Sequence, residues 1–280
     1  MKSTLKTLVA ALAFGSTLGF TASANAGVID LFSEPILQSV TDTTVTGAVV
    51  SQFGLGANIL GGYRDLSIDM VAGAGGTHNA NLEVAGGNLS WSNSTNVRSV
   101  AKVQWDGNDA ATPGALNYTG LGGVNLTAGC GVGPCKIFNA LINSADLGFN
   151  YQIGIYTDAS NYTLLDSGTL FGIGDGLFDT PGPYNANYDF DWFALSSGNY
   201  NLGGLPFTIT KVGSGANLTN VGAIEFVMFN TGVCYQSGIT CSASVDLEID
   251  SLTTVPEPTS LLLFGLGLVG LASLRRRKQA

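Results

Sequence analysis

The sequence predicts an all-β protein, an antiparallel β-sandwich of jelly-roll-like type carried between an N-terminal signal peptide and a C-terminal transmembrane helix. Three observations carry this expectation. Residues 27–254 hold 34 glycines and 20 asparagines, with Val, Ile, Thr, Tyr and Phe gathered in short runs between them, the composition of short strands joined by tight turns. Apolar and polar residues alternate in 64–70, 99–105, 150–156 and 244–250, and each window reads as a half-buried strand. No window shows a sustained, capped helical stripe, and the nearest approach is one short helical turn at 137–144.

Taken in order, Lys2 and Lys6 precede an apolar run from Leu8 to about Phe20, and Ala24-Asn25-Ala26 supplies the small-x-small pattern of a signal-peptide cleavage site. Residues 1–26 therefore read as a cleaved signal peptide; an uncleaved anchor would need a longer apolar run. The body, 27–254, is long enough for one large β domain or two small ones with a sizeable core. Within it Leu66, Ile68 and Met70 share one strand face. Residues 82–85 and 88–91 flank Gly86-Gly87, the best hairpin signal in the chain. The Asp- and Gly-rich stretch 172–187 reads as one long loop, the kind of place where binding resides in compact β domains.

The body carries nineteen acidic residues against five basic ones, a formal charge of −14. Such a surface repels nucleic acid and anionic lipid, suits divalent cations and leaves a neutral glycan free to approach. Fifteen of the acids are Asp, which favours turns and oxygen-ligand loops. Four cysteines, Cys130, Cys135, Cys234 and Cys241, lie in two short segments of an exported body. The leading reading is two local disulfides, Cys130–Cys135 and Cys234–Cys241, each contributing about 2 kcal/mol by loop-closure entropy. Zinc is the alternative, disfavoured by the spacing and by a single histidine.

Beyond the body stand Val255-Pro256-Glu257-Pro258, an uncharged apolar run at 259–274, and the basic stop Arg275-Arg276-Arg277-Lys278. In lipid the run can satisfy its backbone only as a helix, and at about 1.5 Å per residue it spans about 24 Å, a thin membrane crossing. The basic cluster stays cytoplasmic, which puts the body on the far side. The two prolines keep the junction extended for a processing enzyme. The order of these parts, residues 255–280, closely resembles the PEP-CTERM sorting signal, with Pro256-Glu257-Pro258 intact. The resemblance covers about a tenth of the chain. It implies recognition by an exosortase, a membrane-embedded cysteine transpeptidase, in a Gram-negative bacterium that makes extracellular polysaccharide. A plain membrane anchor is the alternative.

The body offers no specific catalytic set. Asp246, Glu248 and Asp250 share one face of a predicted strand and superficially resemble the start of the laminarinase-type Glu-x-Asp-x-x-Glu motif, but the third position is Thr253. The closing strand also resembles that of jelly-roll carbohydrate-binding modules, in many of which an Asp binds a structural calcium. That resemblance implies a metal ligand at Asp250, with Asp30 or Glu34 from the first strand region. Asp175, Asp179, Asp189 and Asp191 miss the EF-hand spacing. His78 has no second histidine and no Gly-x-Ser-x-Gly elbow to serve. Trp91, Trp105 and Trp192 read as core before sugar platforms.

These features point to a non-enzymatic exported protein, membrane-anchored before processing and then at the cell surface or in a biofilm-type matrix, with extracellular polysaccharide as a partner and no nucleic acid. Structural calcium is the one cofactor to consider. A polysaccharide-modifying glycosidase or lyase on the same fold, and a purely structural surface subunit, are the competing readings.

Overall fold

The computed structural model describes residues 27–73, 77–109, 112–130, 133–145, 149–167, 184–202, 205–230 and 246–256. The signal peptide with Ala24 and Ala26, most of the 172–187 loop, Cys234, Cys241, and the tail from Glu257 and Pro258 through Lys278 lie outside these residues. In chain order the strands are β1 (Gly27–Asp30), β2 (Gln38–Asp42), β3 (Val49–Gly54), β4 (Tyr63–Ala72), β5 (Ala80–Ala85), β6 (Asn88–Asn93), β7 (Arg98–Trp105) and β8 (Cys135–Ala145). They continue as β9 (Asn150–Asp158), β10 (Asn161–Asp166), β11 (Tyr184–Asp189), β12 (Gly198–Leu202), β13 (Leu205–Val212), β14 (Ala223–Phe229) and β15 (Asp246–Pro256); the described residues also hold a short α-helix, α1 (Phe190–Ala194), between β11 and β12 and a 3-10 turn at Leu60–Gly62.

The chain is nearly all β, in two antiparallel sheets. The first runs β11-β8-β15-β6-β5-β2, with β1 also paired to β15; the second runs β12-β13-β10-β9-β14-β7-β4-β3. Four local hairpins, β3-β4, β5-β6, β9-β10 and β12-β13, alternate with crossings between the sheets. Gly86 and Gly87 both take positive φ (61° and 92°), so the β5–β6 turn lies where only glycine is at ease, as the hairpin reading requires.

Alternation decides which face of each strand is buried. In β4 the side chains of Arg64, Leu66, Ile68 and Met70 are all fully buried, and the register carries that inner row through Leu66, Val103, Phe226, Ile153 and Leu165 across five strands. From the first sheet Leu82, Trp91, Phe138, Ile142, Ile249 and Leu252 join the same continuous core. Residues 137–144 are not a helical turn. They belong to β8, an interior strand between β11 and β15, and Phe138, Ala140 and Ile142 supply its core face. The end of the predicted long loop is likewise corrected, because 184–187 opens β11 against β8.

A charged pair, Arg64 and Asp30, sits among these apolar side chains. Arg64 is fully buried, and its Nη1 donates to Asp30 Oδ1 and Oδ2 (2.9 and 2.8 Å) while Nε donates to Gln38 Oε1 (2.9 Å). Trp105 Nε1 (2.8 Å) and the Phe32 backbone N–H (2.8 Å) also donate to Asp30. The guanidinium lies over the Phe32 and Phe53 rings at 5.5 and 5.6 Å. Asp30 on one sheet and Arg64 and Trp105 on the other are thereby tied together across the core.

Candidate functional site

The opposite parity of the same strands builds a polar row on the outer face of the second sheet. Register sets Gln52 of β3 beside Asp65 of β4, Asp65 beside Gln104 of β7, and Gln104 beside Glu225 of β14. Beyond Glu225 comes Gly154 of β9, which leaves room for the Tyr156 ring. An outer face would ordinarily be solvated, but Asp65, Gln104 and Asp106 are each 1 % exposed. The cover is the β7–β8 connection. It leaves the strand at Asp106, turns back at 117–120, and is pinned by Leu121 N–H to Gly222 O (2.9 Å) and by the Val124–Val221 bridge. Gly107 (φ 83°) and Gly120 let two stretches of this connection touch backbone to backbone; a Cβ on Gly120 would sit on the Asp106 carbonyl.

Under this cover the carboxylates of Asp65, Asp106 and Asp109 bring a ligand oxygen each to within 4.8 Å of one another. Asp106 Oδ2 accepts the Asn117 N–H (2.7 Å), Asp109 Oδ1 accepts Gln52 Nε2 (2.6 Å), and Glu225 Oε2 accepts Gln104 Nε2 (2.6 Å). Among the described residues no donor makes a hydrogen bond of good geometry to either oxygen of Asp65. Burial first, then the adjoining Asp109 carboxylate and the charge of Asp106, push the Asp65 carboxyl up to about 8, against the pull of the nearby Gln52 amide, which is bonded to Asp109. Burial also lifts Asp106 to about 6, against the pull of the Asn117 N–H, with the charges of Asp109 and Glu225 adding to the rise. Beside the row stand three tyrosines, Tyr118 against Tyr156 (centroids 5.3 Å apart) and Tyr156 against Tyr162 (5.1 Å). Tyr118 is 38 % exposed.

A second functional region lies at one end of the first sheet. Strand β15 does not stop at the body but continues through Val255 and Pro256, paired with Ile137 and Cys135 of β8. Gly27, the first described residue, pairs with Thr254. The Thr254 hydroxyl lies 3.3 Å from the Gly27 carbonyl oxygen and 3.2 Å from Cys135 Sγ. The Cys130–Cys135 disulfide, with Cα atoms 5.2 Å apart, packs at this junction, so the local pairing expected for that segment is present. Residues 254–278 match the family model of the PEP-CTERM protein-sorting motif. The chain carries a PEP-CTERM sorting motif. No curated protein matches the chain. The PEP-CTERM motif implies export and membrane-anchored sorting with exosortase processing, and its first three residues are already part of a strand.

The residues singled out from sequence separate in the fold. Leu247 and Ile249 are buried while Asp246 is exposed and Glu248 and Asp250 are half-buried, so the predicted alternation of β15 holds on the outer side of the first sheet. The acidic cluster at Asp65, Asp106 and Asp109 is on the other sheet and does not include Asp250. Asp30 spends its oxygens on Arg64, Trp105 and Phe32, and Glu34 Oε2 lies 3.4 Å from Arg64 Nη1. His78 is half-buried in the β4–β5 connection, and Trp91 and Trp105 are core. The cluster itself had one local sign, the acid pair three apart in Asp106-Gly-Asn-Asp109.

A pH dependence follows. Asp65 and Asp106 hold protons in the folded state that an unfolded chain, with carboxyls near about 3.9, would release. Their contribution is therefore fully present below about pH 4 and is lost as pH rises through about 6 and about 8. With divalent ions chelated, the unfolding free energy from about pH 4 to about pH 8, read by denaturant titration, should fall more steeply for the wild type than for Asp65→Asn, by a few kcal/mol. The variant should be the more stable of the two at the alkaline end. Parallel profiles would show that the Asp65 carboxyl titrates normally.

Proposed function

We propose that the chain is a non-enzymatic protein of the cell surface or extracellular polysaccharide matrix, delivered there by PEP-CTERM sorting and engaging glycan through its acidic β body. The sorting motif at 254–278 is the observation that carries this reading. The acidic cluster on the second sheet does not favour a hydrolase. Glycoside hydrolysis needs an acid and a base about 5–9 Å apart in an open cleft, whereas Asp65 and Asp106 are sealed beneath the β7–β8 connection. With Trp91 and Trp105 committed to the core, the aromatic surface available for stacking on sugar rings among the described residues includes the group at Tyr118 and Tyr162, together with half-buried Tyr63, Trp192 and Tyr200.

Two measurements on protein recovered from the cell test this. Intact mass should show loss of the segment after the Pro-Glu-Pro element, about 2 kDa lighter than the signal-cleaved chain; persistence of the full tail in the membrane fraction would favour a plain anchor. Incubation with the host's own exopolysaccharide should give co-sedimentation without shortening of the polymer. Depolymerisation would establish the competing enzyme, and absence of both retention and cleavage would leave a purely structural subunit.

A further inference from the structure

Among the described residues, eight buried side-chain polar atoms have no hydrogen-bond partner, and half of them belong to one neighbourhood: Oδ1 and Oδ2 of Asp65, Oδ2 of Asp109 and Oε1 of Gln104. All four are oxygens. The amide of Gln104 is fixed in its orientation because Nε2 is used by Glu225, so Oε1 is the end left over beside Asp65. An orphaned buried acceptor costs about 1–3 kcal/mol, more when charged, and four in one place call for a common partner that can accept from none and attract all.

We propose that Asp65, Asp106 and Asp109, with Gln104 beside them, bind a calcium ion that fastens the β7–β8 connection to the outer face of the second sheet. Two oxygens bound to one calcium at about 2.4 Å lie at most about 4.8 Å apart, and the ligand atoms of the three aspartates fall within that distance of one another. The donor set is oxygen alone, which selects a hard cation over zinc or copper. Each hydrogen bond already in place orients a ligand without using the oxygens left over: Gln52 holds Asp109, Asn117 holds Asp106 and Glu225 holds Gln104. Among the described residues, the charge of Glu225 from β14 acts on Asp106, Tyr156 of β9 lies beyond Glu225, Tyr63 shares the parity of Asp65 on β4 with its hydroxyl 3.4 Å from Asn108 Nδ2, and Lys102 shares the face one alternate position along β7, opposite Ser67. The ion supplies the positive charge that three crowded carboxylates lack.

The competing account is a proton held between Asp65 and Asp109, with no ion involved. Calorimetry and thermal melts of the full chain in detergent, stripped with chelator and then given calcium at about 1 mM, separate the two. Calcium should raise the melting temperature by about 5–10 °C if that concentration is about a hundredfold above the dissociation constant. Calorimetry should also show saturable binding of about one calcium per chain. Asp65→Asn should fold with undiminished apo stability and lose both responses, while Asp250→Asn should keep both. A wild-type melting temperature that follows pH and ignores calcium would overturn the proposal. So would an Asp65→Asn protein that still responds, or loss of the response in Asp250→Asn.

Discussion

Arg64→Ala lowers the stability of the protein by about 3–5 kcal/mol, a drop in melting temperature on the order of 10 °C for a body of this size. The side chain is fully buried, and its removal strands the Asp30 carboxylate in the core with only Trp105 and the Phe32 N–H as donors. The Gln38 oxygen loses its donor, and two aromatic rings lose the cation between them. Lysine is no substitute, because one ammonium cannot reproduce donation from Nε to Gln38 and from Nη1 to Asp30. The pair Arg64→Leu with Asp30→Asn should recover most of the loss, since the penalty comes from the unpaired charge and not from the absence of a salt bridge. Denaturant titration of the three proteins decides it, and a loss below about 1 kcal/mol for the single variant would mean that water reaches Asp30.

Ending the chain at Val245 should abolish folding outright, while ending it after Pro256 should leave the body's melting temperature unchanged and remove only sorting. The difference is β15. It lies between β8 and β6 and also carries β1, so its loss separates the first sheet into two parts and opens the core at Leu247, Ile249 and Leu252. Three such side chains at about 1.5–3 kcal/mol each, plus the unpaired ladder groups on both flanks, approach or exceed the whole stability of an ordinary domain. Near-ultraviolet circular dichroism of the two truncated chains is the readout. A native-like signal from the shorter one would show that β8 and β6 can close on each other without it.

Much of the fold was readable because several strands keep polar residues on one face and apolar residues on the other, whether or not water reaches the polar face. Residues 64–70, 99–105 and 150–156 alternate cleanly and became β4, β7 and β9. In β8 the outward positions also carry apolar side chains, half-buried Ile137 and Leu141, so Ile137-Phe138 and Ala140-Leu141-Ile142 erase the period of two and hide the strand. Arg64 has the parity of Leu66, Ile68 and Met70, so a cation on the inward face was in principle visible. Its partner Asp30 lies 34 residues away on the other sheet, and nothing local names it. The acidic cluster hid for a related reason. Asp65 alternates outward and reads as solvated until the connection carrying Asp106 and Asp109 folds over it, an event set by tertiary packing and by the glycines that permit it. The PEP-CTERM motif was legible because a sorting signal is recognised as a linear segment.

The placement of β15 also governs how the protein bears mechanical load. Anything that holds the tail pulls on the body at Pro256, and the tension runs lengthwise down a strand with nine register pairs to β8 and further pairs to β6 and β1. Because the pull is parallel to the strand, those ladder bonds are strained together and share the force. An edge strand such as β2 or β11, pulled the same way, would share the load with a single neighbour. Resistance to forced unfolding is set by the unfolding rate and not by the equilibrium free energy. A body hung from an interior strand therefore stays folded under tension longer than its thermal stability alone would indicate, with the Cys130–Cys135 loop closing the end at which the strain enters.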